Sequence, residues 1–406
     1  MTDMHDSYDV IVVGARCAGS PTGMLLARQG HRVLVVDRAT FPSDTVSTHL
    51  LHPPALAALR RWGLLEDVLA TGCPPIETYS FDFGALTISG TPRPASDGGS
   101  VAAAPRRTVL DKILVDAARD AGAEVREGFT VDEIVVDDGR VAGIRGRDRD
   151  GTGAALHAQV VIGADGVHSQ VAKAVGAREY NTKPVLQWGA YAYWRDLPVN
   201  GFEVYVRPDR GWGAIPTNDD LTLVVVGWPA DEAAAFRSDV EGNYLKSLDL
   251  APAFAERVRG ATRVGRFHVG GVPNVWREPY GLGWALVGDA GYSKDPITAQ
   301  GIRDAFDDAE RCAAALHATF SGTCTFDEAM AASHASRDDH AGPIFEFTTQ
   351  LATLEPPPPE MQQLLAAMAG NQPAMDGFVS VVAGTQSPVE FFDPANLERV
   401  LRPSLV

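Results

Sequence analysis

The stretch Tyr8-Asp9-Val10-Ile11-Val12-Val13-Gly14-Ala15-Arg16-Cys17-Ala18-Gly19 decides how this chain folds. An apolar run ends at Gly14. Glycines recur at Gly19 and Gly23, and a helical pattern (Met24-Leu25-Leu26-Ala27) stops at Gly30. A second apolar run, Val33-Leu34-Val35-Val36, ends in Asp37. Strand, glycine turn, helix, strand and acid in this order form the setting of a dinucleotide-binding fingerprint. Gly14 lets the chain turn sharply out of the strand, while Gly19 and Gly23 let helix and strand pack closely. The helix N-terminus offers N–H groups and a partial positive charge to a pyrophosphate. Asp37 follows Gly14 by 23 residues, close to the roughly 20 at which a carboxylate grips ribose hydroxyls. The middle glycine of G-x-G-x-x-G is replaced by Arg16, so a side chain stands where backbone would approach the phosphates. Either the dinucleotide sits differently there or Arg16 helps to hold it.

The bulk properties narrow the choices. A chain of 406 residues has room for two or three domains, and 45% hydrophobic with 21% charged residues is an ordinary globular balance. The net charge of -17, from 35 basic and 52 acidic residues, disfavours nucleic acid and anionic membranes as partners. It suits a protein with a locally positive pocket for a small-molecule substrate. Cys17, Cys73, Cys312 and Cys324 show no metal-binding spacing, so no metal is expected, and the thiols read as reduced in a cytoplasmic setting. The N-terminus is polar and runs straight into the first strand, unlike a signal peptide. No apolar run approaches the roughly 20 residues of a membrane span. The oligomeric state, monomer or dimer, stays open.

Further along, α/β and antiparallel patterns interleave. The polar loop Phe41 to His49, rich in Ser and Thr, lies just past the acid-ended strand and is placed to run along a cofactor. Pro53-Pro54 opens a helix that Gly63 stops. Residues 76–88 alternate apolar and polar, as half-buried antiparallel strands do. Arg107 leads a helix to Gly122, and Asp138-Gly139 marks a hairpin turn. A strand ending in Gly163-Ala164-Asp165-Gly166 follows. Antiparallel patterns return from Leu186 to Val272. A third strand ends in Gly288-Asp289-Ala290, and Pro296 to Ile302 leads a long helix with Ala305, Ala309, Ala313 and Leu316 on one face. The expected fold is α/β: a Rossmann-like domain from 1–75, 101–178 and 268–345, an inserted antiparallel β-sheet substrate domain from 76–100 and 179–267, and a helical C-terminal region, 346–406. A cleft between the two domains is the natural ligand site.

Three ordered motifs, Gly14-x-Arg16-x-x-Gly19, Gly163-Ala-Asp165-Gly166-x-x-Ser169 and Gly288-Asp289-Ala290 with Pro296, Gln300 and Gly301, together resemble the flavin-dependent aromatic hydroxylase and geranylgeranyl-reductase-like superfamily of FAD proteins. Arg107-x-x-Leu110-Asp111 is similar to that family's flavin-contacting arginine at a helix start. The resemblance implies an FAD site built from Gly14, Arg16, Cys17, Ala18, Gly19, Asp37, Arg38, Arg107, Asp165, Gly288, Asp289, Pro296, Ala299, Gln300, Gly301 and Ile302. Asp37 and Arg38 would flank the adenosine and Arg107 would pair with phosphate. Asp165 would tighten the turn beside the pyrophosphate and Asp289 would bind the ribityl or phosphate region. The helix from Gln300 would aim its dipole at the flavin's pyrimidine edge. The chain departs from the pattern at Arg16, at Ala172 where an arginine is usual, and at Gly291, where His is common.

The resemblance further implies a monooxygenase, hydroxylating or epoxidising an aromatic or polyketide-like molecule through a flavin hydroperoxide. Electrons would come from NADPH, NADH or a partner flavin reductase, since no second dinucleotide fingerprint is present. Alternatives are an FAD-dependent reductase of isoprenoid or other double bonds, and a flavin-binding protein without turnover. The sequence shows no catalytic triad; His49, Trp212 and Gln300 are the catalytic candidates. Tyr191, Tyr193, Trp194 and Trp212 are candidates for the substrate pocket. Flavin-dependent halogenases carry Trp-x-Trp-x-Ile-Pro where this chain has Gly211-Trp212-Gly213-Ala214-Ile215-Pro216. Glycine at both tryptophan positions speaks against halogenation.

Overall fold

A computed structural model describes residues 7–401. Residues 1–6, the polar start, and 402–406, the last of the tail, lie outside the described residues. Strand Ser7–Val13 lies at the centre of the first sheet. It pairs in parallel with Val33–Asp37 on one side and Gly153–Gly163 on the other, and Glu124–Glu127 and Trp284–Leu286 extend the parallel order outward. Strands covered on both faces must be apolar at every position rather than at alternate ones. Accordingly Val10, Ile11, Val12 and the run Val33 to Val36 are at most 2% exposed. Helices Gly19–Arg28, Arg107–Asp120 and Gly301–Phe320 cover one face. The hairpin Thr130–Asp137 with Arg140–Arg147 covers the other, packing Phe129, Ile134 and Ile144 onto Ile11 and Leu34. Its turn has positive φ at both Asp138 (46°) and Gly139 (78°), as a two-residue hairpin turn of the primed type requires.

The second sheet has seven strands in the order Thr262–Gly270, Gln187–Arg195, Leu221–Pro229, Arg210–Thr217, Phe202–Arg207, Tyr79–Asp82 and Thr87–Gly90. Its pairings are antiparallel except one: Tyr79–Asp82 runs parallel to Phe202–Arg207. Alternation of apolar and polar residues reports which faces are covered, not strand direction, so this join was not readable from the pattern. One face carries Trp194, Trp212, Val224, Val226 and Trp228 and is covered by helices from Ala233 to Arg259. The opposite face carries Tyr79, Phe81, Tyr191, Tyr193, Ile215 and Leu223. It meets the C-terminal helices Pro359–Met368 and Gln372–Val382. Helix Phe326–Leu351 starts at a capping box formed by Thr325 and Glu328. Among the described residues, no helix is long and apolar enough to cross a membrane, and no cluster of His, Cys, Asp and Glu could hold a metal ion.

One buried carboxylate ties the glycine turn to the neighbouring helix. Asp111, fully buried on Arg107–Asp120, accepts from Arg107 Nε at 2.9 Å and Nη2 at 3.0 Å. It also accepts from Arg16 Nη1 at 2.6 Å and from the Cys17 thiol at 3.4 Å. Two guanidinium groups on one carboxylate leave a net positive charge beside the turn. Removing the carboxylate leaves a buried cation unpaired, which costs about 3–5 kcal/mol. Asp111→Ala is therefore expected to lower unfolding free energy by about that much in urea titrations, and Asp111→Asn, which keeps the acceptor oxygen, by less.

Candidate functional site

The three motifs converge at the carboxyl ends of neighbouring parallel strands, where open α/β sheets bind ligands. A Cβ on Gly14 would lie 2.3 Å from the Ala164 carbonyl oxygen. One on Gly19 would lie 1.8 Å from the Gly14 oxygen, and one on Gly288 2.8 Å from the Ala18 Cβ. The first turn thus touches both the second and the third. Helix Gly19–Arg28 has no side-chain cap at its start and no acid in its first turn, so its positive end stays available to an anion. Helix Gly301–Phe320 likewise starts without a side-chain cap at Gln300. Ala299, immediately before it, is held in the left-handed region (φ 52°, ψ 34°), so successive N–H groups form a concavity suited to an anionic edge.

The side chains around this cleft fit an adenine dinucleotide. Asp37 accepts from the Ala15 N–H at 2.8 Å and the Ala39 N–H at 2.7 Å, which leaves each oxygen a further lone pair. Arg38 is exposed next to it. Asp165 faces the following helix, accepting from Ser169 Oγ and from the N–H groups of Gln170 and Val171. Asp289 opens onto the cleft, yet the protein packed around it, with the Asp304 carboxylate, pushes its pKa up to about 6. Arg16 does not lie across the strand end. Its guanidinium is engaged by Asp111, by Ser43 Oγ at 2.7 Å and by the Ser43 carbonyl, and it sits over the Phe41 ring. It fastens the polar loop to the cleft wall. Cys17 is buried, which raises its thiol pKa well above the ordinary range. Ile302 belongs to the core, and Gly301 faces open space.

The polar loop ends in a buried aromatic cluster. His49 takes φ of 63° and is fully buried. Its Nε2 meets the Tyr193 hydroxyl, its ring stacks on Tyr193, and its Nδ1 has no partner. Burial, then the cations Arg107 and Arg106, push its pKa down to about 3, so the imidazole is neutral at physiological pH. Tyr191 stacks on His268 with ring centres 4.7 Å apart. His52 joins the Tyr79 hydroxyl (2.9 Å) to the Thr298 carbonyl (3.0 Å) and so fixes the approach to Ala299. Gln300 turns its amide N–H to the Val382 carbonyl at 2.6 Å, leaving its buried Oε1 without a partner.

Beside Pro296–Ala299 lies a cavity of about 540 Å³. Phe81, Phe202, Val204, Leu354, Met361 and Phe378 line much of it, and the second sheet and the C-terminal helices enclose it. The four expected pocket aromatics do not share it. Successive residues of a strand point to opposite faces, so Tyr191 and Tyr193 share the cavity's side of the sheet but pack into the His49 cluster. Trp194 donates to the Tyr244 hydroxyl at 3.1 Å on the far face. Trp212 borders the cavity, but its indole stacks on Tyr205, 5.2 Å away, on that same far face. Sequence reasoning missed the polar pair at the cavity floor. Gln187 donates to Asp295, whose second oxygen is buried without a partner. Burial pushes the Asp295 pKa up to about 7, against the hydrogen bonds from Gln187 and Ile297. The aspartate directly before Pro296 was the signal available.

Comparison with known proteins agrees with this geometry. Residues 7–348 match the FAD binding domain family. The protein FixC of Salmonella typhi is 33% identical over 175 residues, a match that spans 42% of this chain and only 40% of FixC. A digeranylgeranylglycerophospholipid reductase of Methanocella arvoryzae is 29% identical over 74% of this chain and 75% of its own. The rifampicin monooxygenase of Streptomyces venezuelae is 28% identical over 89% of this chain and 75% of its own. Among solved structures, the myxobacterial chondrochloren halogenase superposes with a TM-score of 0.80 at 22% identity, covering 98% of this chain and 96% of that one, which is a likeness of fold. With three glycine-and-acid motifs meeting at one cleft and the family matched across most of its length, the chain belongs to the FAD binding domain family.

Proposed function

We propose that the protein is an FAD-dependent monooxygenase that hydroxylates or epoxidises an aromatic or polyketide-like small molecule in the cytoplasm, with NADPH, NADH or a partner flavin reductase as electron source. The observation that carries this reading is the largely apolar cavity against Pro296–Ala299, at the start of helix Gly301–Phe320. Bound flavin, once reduced, supplies the chemistry that activates dioxygen. The chain's own residues do the rest. Asp37, Arg38, Arg107 and Asp289 hold the cofactor. The apolar lining orients the substrate and keeps water out. Neutral His49, hydrogen-bonded to Tyr193, holds the end of the polar loop against the sheet and leaves its Nδ1 as a hydrogen-bonding site. The discontinuous first domain would carry the cofactor and the inserted sheet the substrate.

Anaerobic reduction of the purified protein with NADPH or NADH, followed by rapid mixing with oxygen, tests the reading. A transient absorbance between the reduced and oxidised flavin spectra supports monooxygenation. Direct, slow reoxidation with no transient, together with saturation of an isoprenoid double bond, replaces it with the reductase reading. A purified protein that retains no flavin overturns both. Arg107→Ala should weaken FAD retention roughly ten- to hundred-fold, the worth of a charged hydrogen bond, by fluorescence titration of the apoprotein. Arg16→Gly should keep FAD and instead expose the loop at residues 41–49 to proteolysis.

The Asp295 carboxyl gives a pH signature. An acid whose folded pKa is raised opposes folding above that pKa, and the penalty vanishes below its unfolded pKa. With Asp295 raised to about 7, Asp295→Asn should be more stable than the native protein at pH 8, by up to roughly 4 kcal/mol. The advantage should shrink through pH 7 and vanish near pH 4, measured by urea denaturation across that range.

A further inference from the structure

Four glycines stand in one row across four strands of the second sheet. Gly270 pairs with Gly189, Gly189 with Gly227, and Gly227 with Gly211. All four border the cavity, and Gly213 lies two residues from Gly211 on the same side. None of the four takes a left-handed φ, so no backbone conformation demands glycine there. Glycine weakens a strand interior, and where no bulge or turn calls for it, it marks a close approach by something else. At Gly227 that neighbour is known: a Cβ would lie 2.2 Å from Gln187 Oε1. At Gly189 the nearest atoms would be 3.5 Å away, at Gly211 a Leu354 methyl would be 3.4 Å away, and at Gly270 nothing lies within 4 Å. The row is therefore a trough open at Gly189 and Gly270, with the Gln187 amide filling it over Gly227 and Leu354 in contact at Gly211. At the ordinary strand spacing of roughly 4.8 Å, four strands make it about 14 Å long.

Gln187 lies in this trough. Its Nε2 donates to Asp295 Oδ1, which also accepts from the Ile297 N–H. That engagement turns Oε1 over Gly227 as an acceptor on the sheet side of the cavity. Resting on the monooxygenase reading for its chemistry, we infer that the glycine row is the substrate platform. Its ligand is a flat, apolar fused-ring molecule that lies over Gly189 and Gly270 and donates one hydroxyl to Gln187 Oε1 beside them. A globular molecule of equal volume would leave the trough unfilled. The same molecule without its hydroxyl would leave the Gln187 oxygen buried and unpaired, which polar sites discriminate against strongly.

The test titrates the flavin-loaded protein with 2-hydroxyanthracene, anthracene and 1-adamantanol as probes, following binding calorimetrically. The native protein should bind 2-hydroxyanthracene at least ten-fold more tightly than either of the others. Gly189→Val and Gly270→Val, where a side chain has room without strain, should each lose at least ten-fold in affinity for 2-hydroxyanthracene while keeping the flavin spectrum. Gln187→Leu should erase the preference for 2-hydroxyanthracene over anthracene. Unchanged affinity in both valine variants, or 1-adamantanol binding as tightly as the fused-ring probe, overturns the inference whatever the oxygen experiment shows. Loss of flavin from the native protein instead overturns the monooxygenase reading.

Discussion

The structure depends on how closely three backbone segments approach at Gly14, Gly19 and Gly288. Side chains at the first two would overlap backbone atoms by more than an ångström, and one at Gly288 would press into the Ala18 methyl. Glycine at these points lets the ends of strands Ser7–Val13, Gly153–Gly163 and Trp284–Leu286 share one cleft. What a dinucleotide needs then follows from ordinary geometry: a first helix start without an acid or side-chain cap, and a carboxylate at the next strand end. A chain with a net charge of -17 also needs a local source of positive charge to hold a pyrophosphate. The pairing of Arg16 and Arg107 on the single Asp111 leaves one net positive charge beside the glycine turn. Asp111 holds both guanidiniums in place without cancelling them.

The first sheet and its glycine turns were legible in the sequence because their signals are local. Continuous apolar runs, glycines at fixed offsets and acids at strand ends are written within thirty residues of one another. Arg16 shows where local reading stops. Its position in the motif was plain, but its partners, Ser43 and Asp111, come from 27 and 95 residues away. Asp37 was read as a ribose ligand. What the structure shows is that it clamps the turn through Ala15 and Ala39.

The second sheet was less legible because a sheet's faces depend on register. Tyr191, Tyr193, Trp194 and Trp212 looked like one aromatic set from composition. Alternation along the strands splits them between two faces, and of the four Trp212 alone borders the cavity. The cavity is shaped by what is missing, and the row from Gly270 to Gly211 exists only once four strands are aligned. Gly211 and Gly213 were visible as departures from a tryptophan motif. Gly189, Gly227 and Gly270 carried no such cue.

The two faces of that sheet also divide stability from function. A strand loses cross-strand contacts wherever glycine replaces a side chain, and four such losses in one row would leave a sheet weak across its middle. The neighbouring positions on the far face compensate. Trp212 sits opposite Val226, and Trp188 opposite Trp228. Trp228 stacks on Phe236, and Tyr244 and Phe254 close over the same layer. These large aromatic contacts hold the strands in register from behind. The cavity face can then stay bare. Because a slip of one residue would turn the aromatic layer toward the cavity and the glycines toward the helices, the core that stabilises the sheet also keeps the trough open.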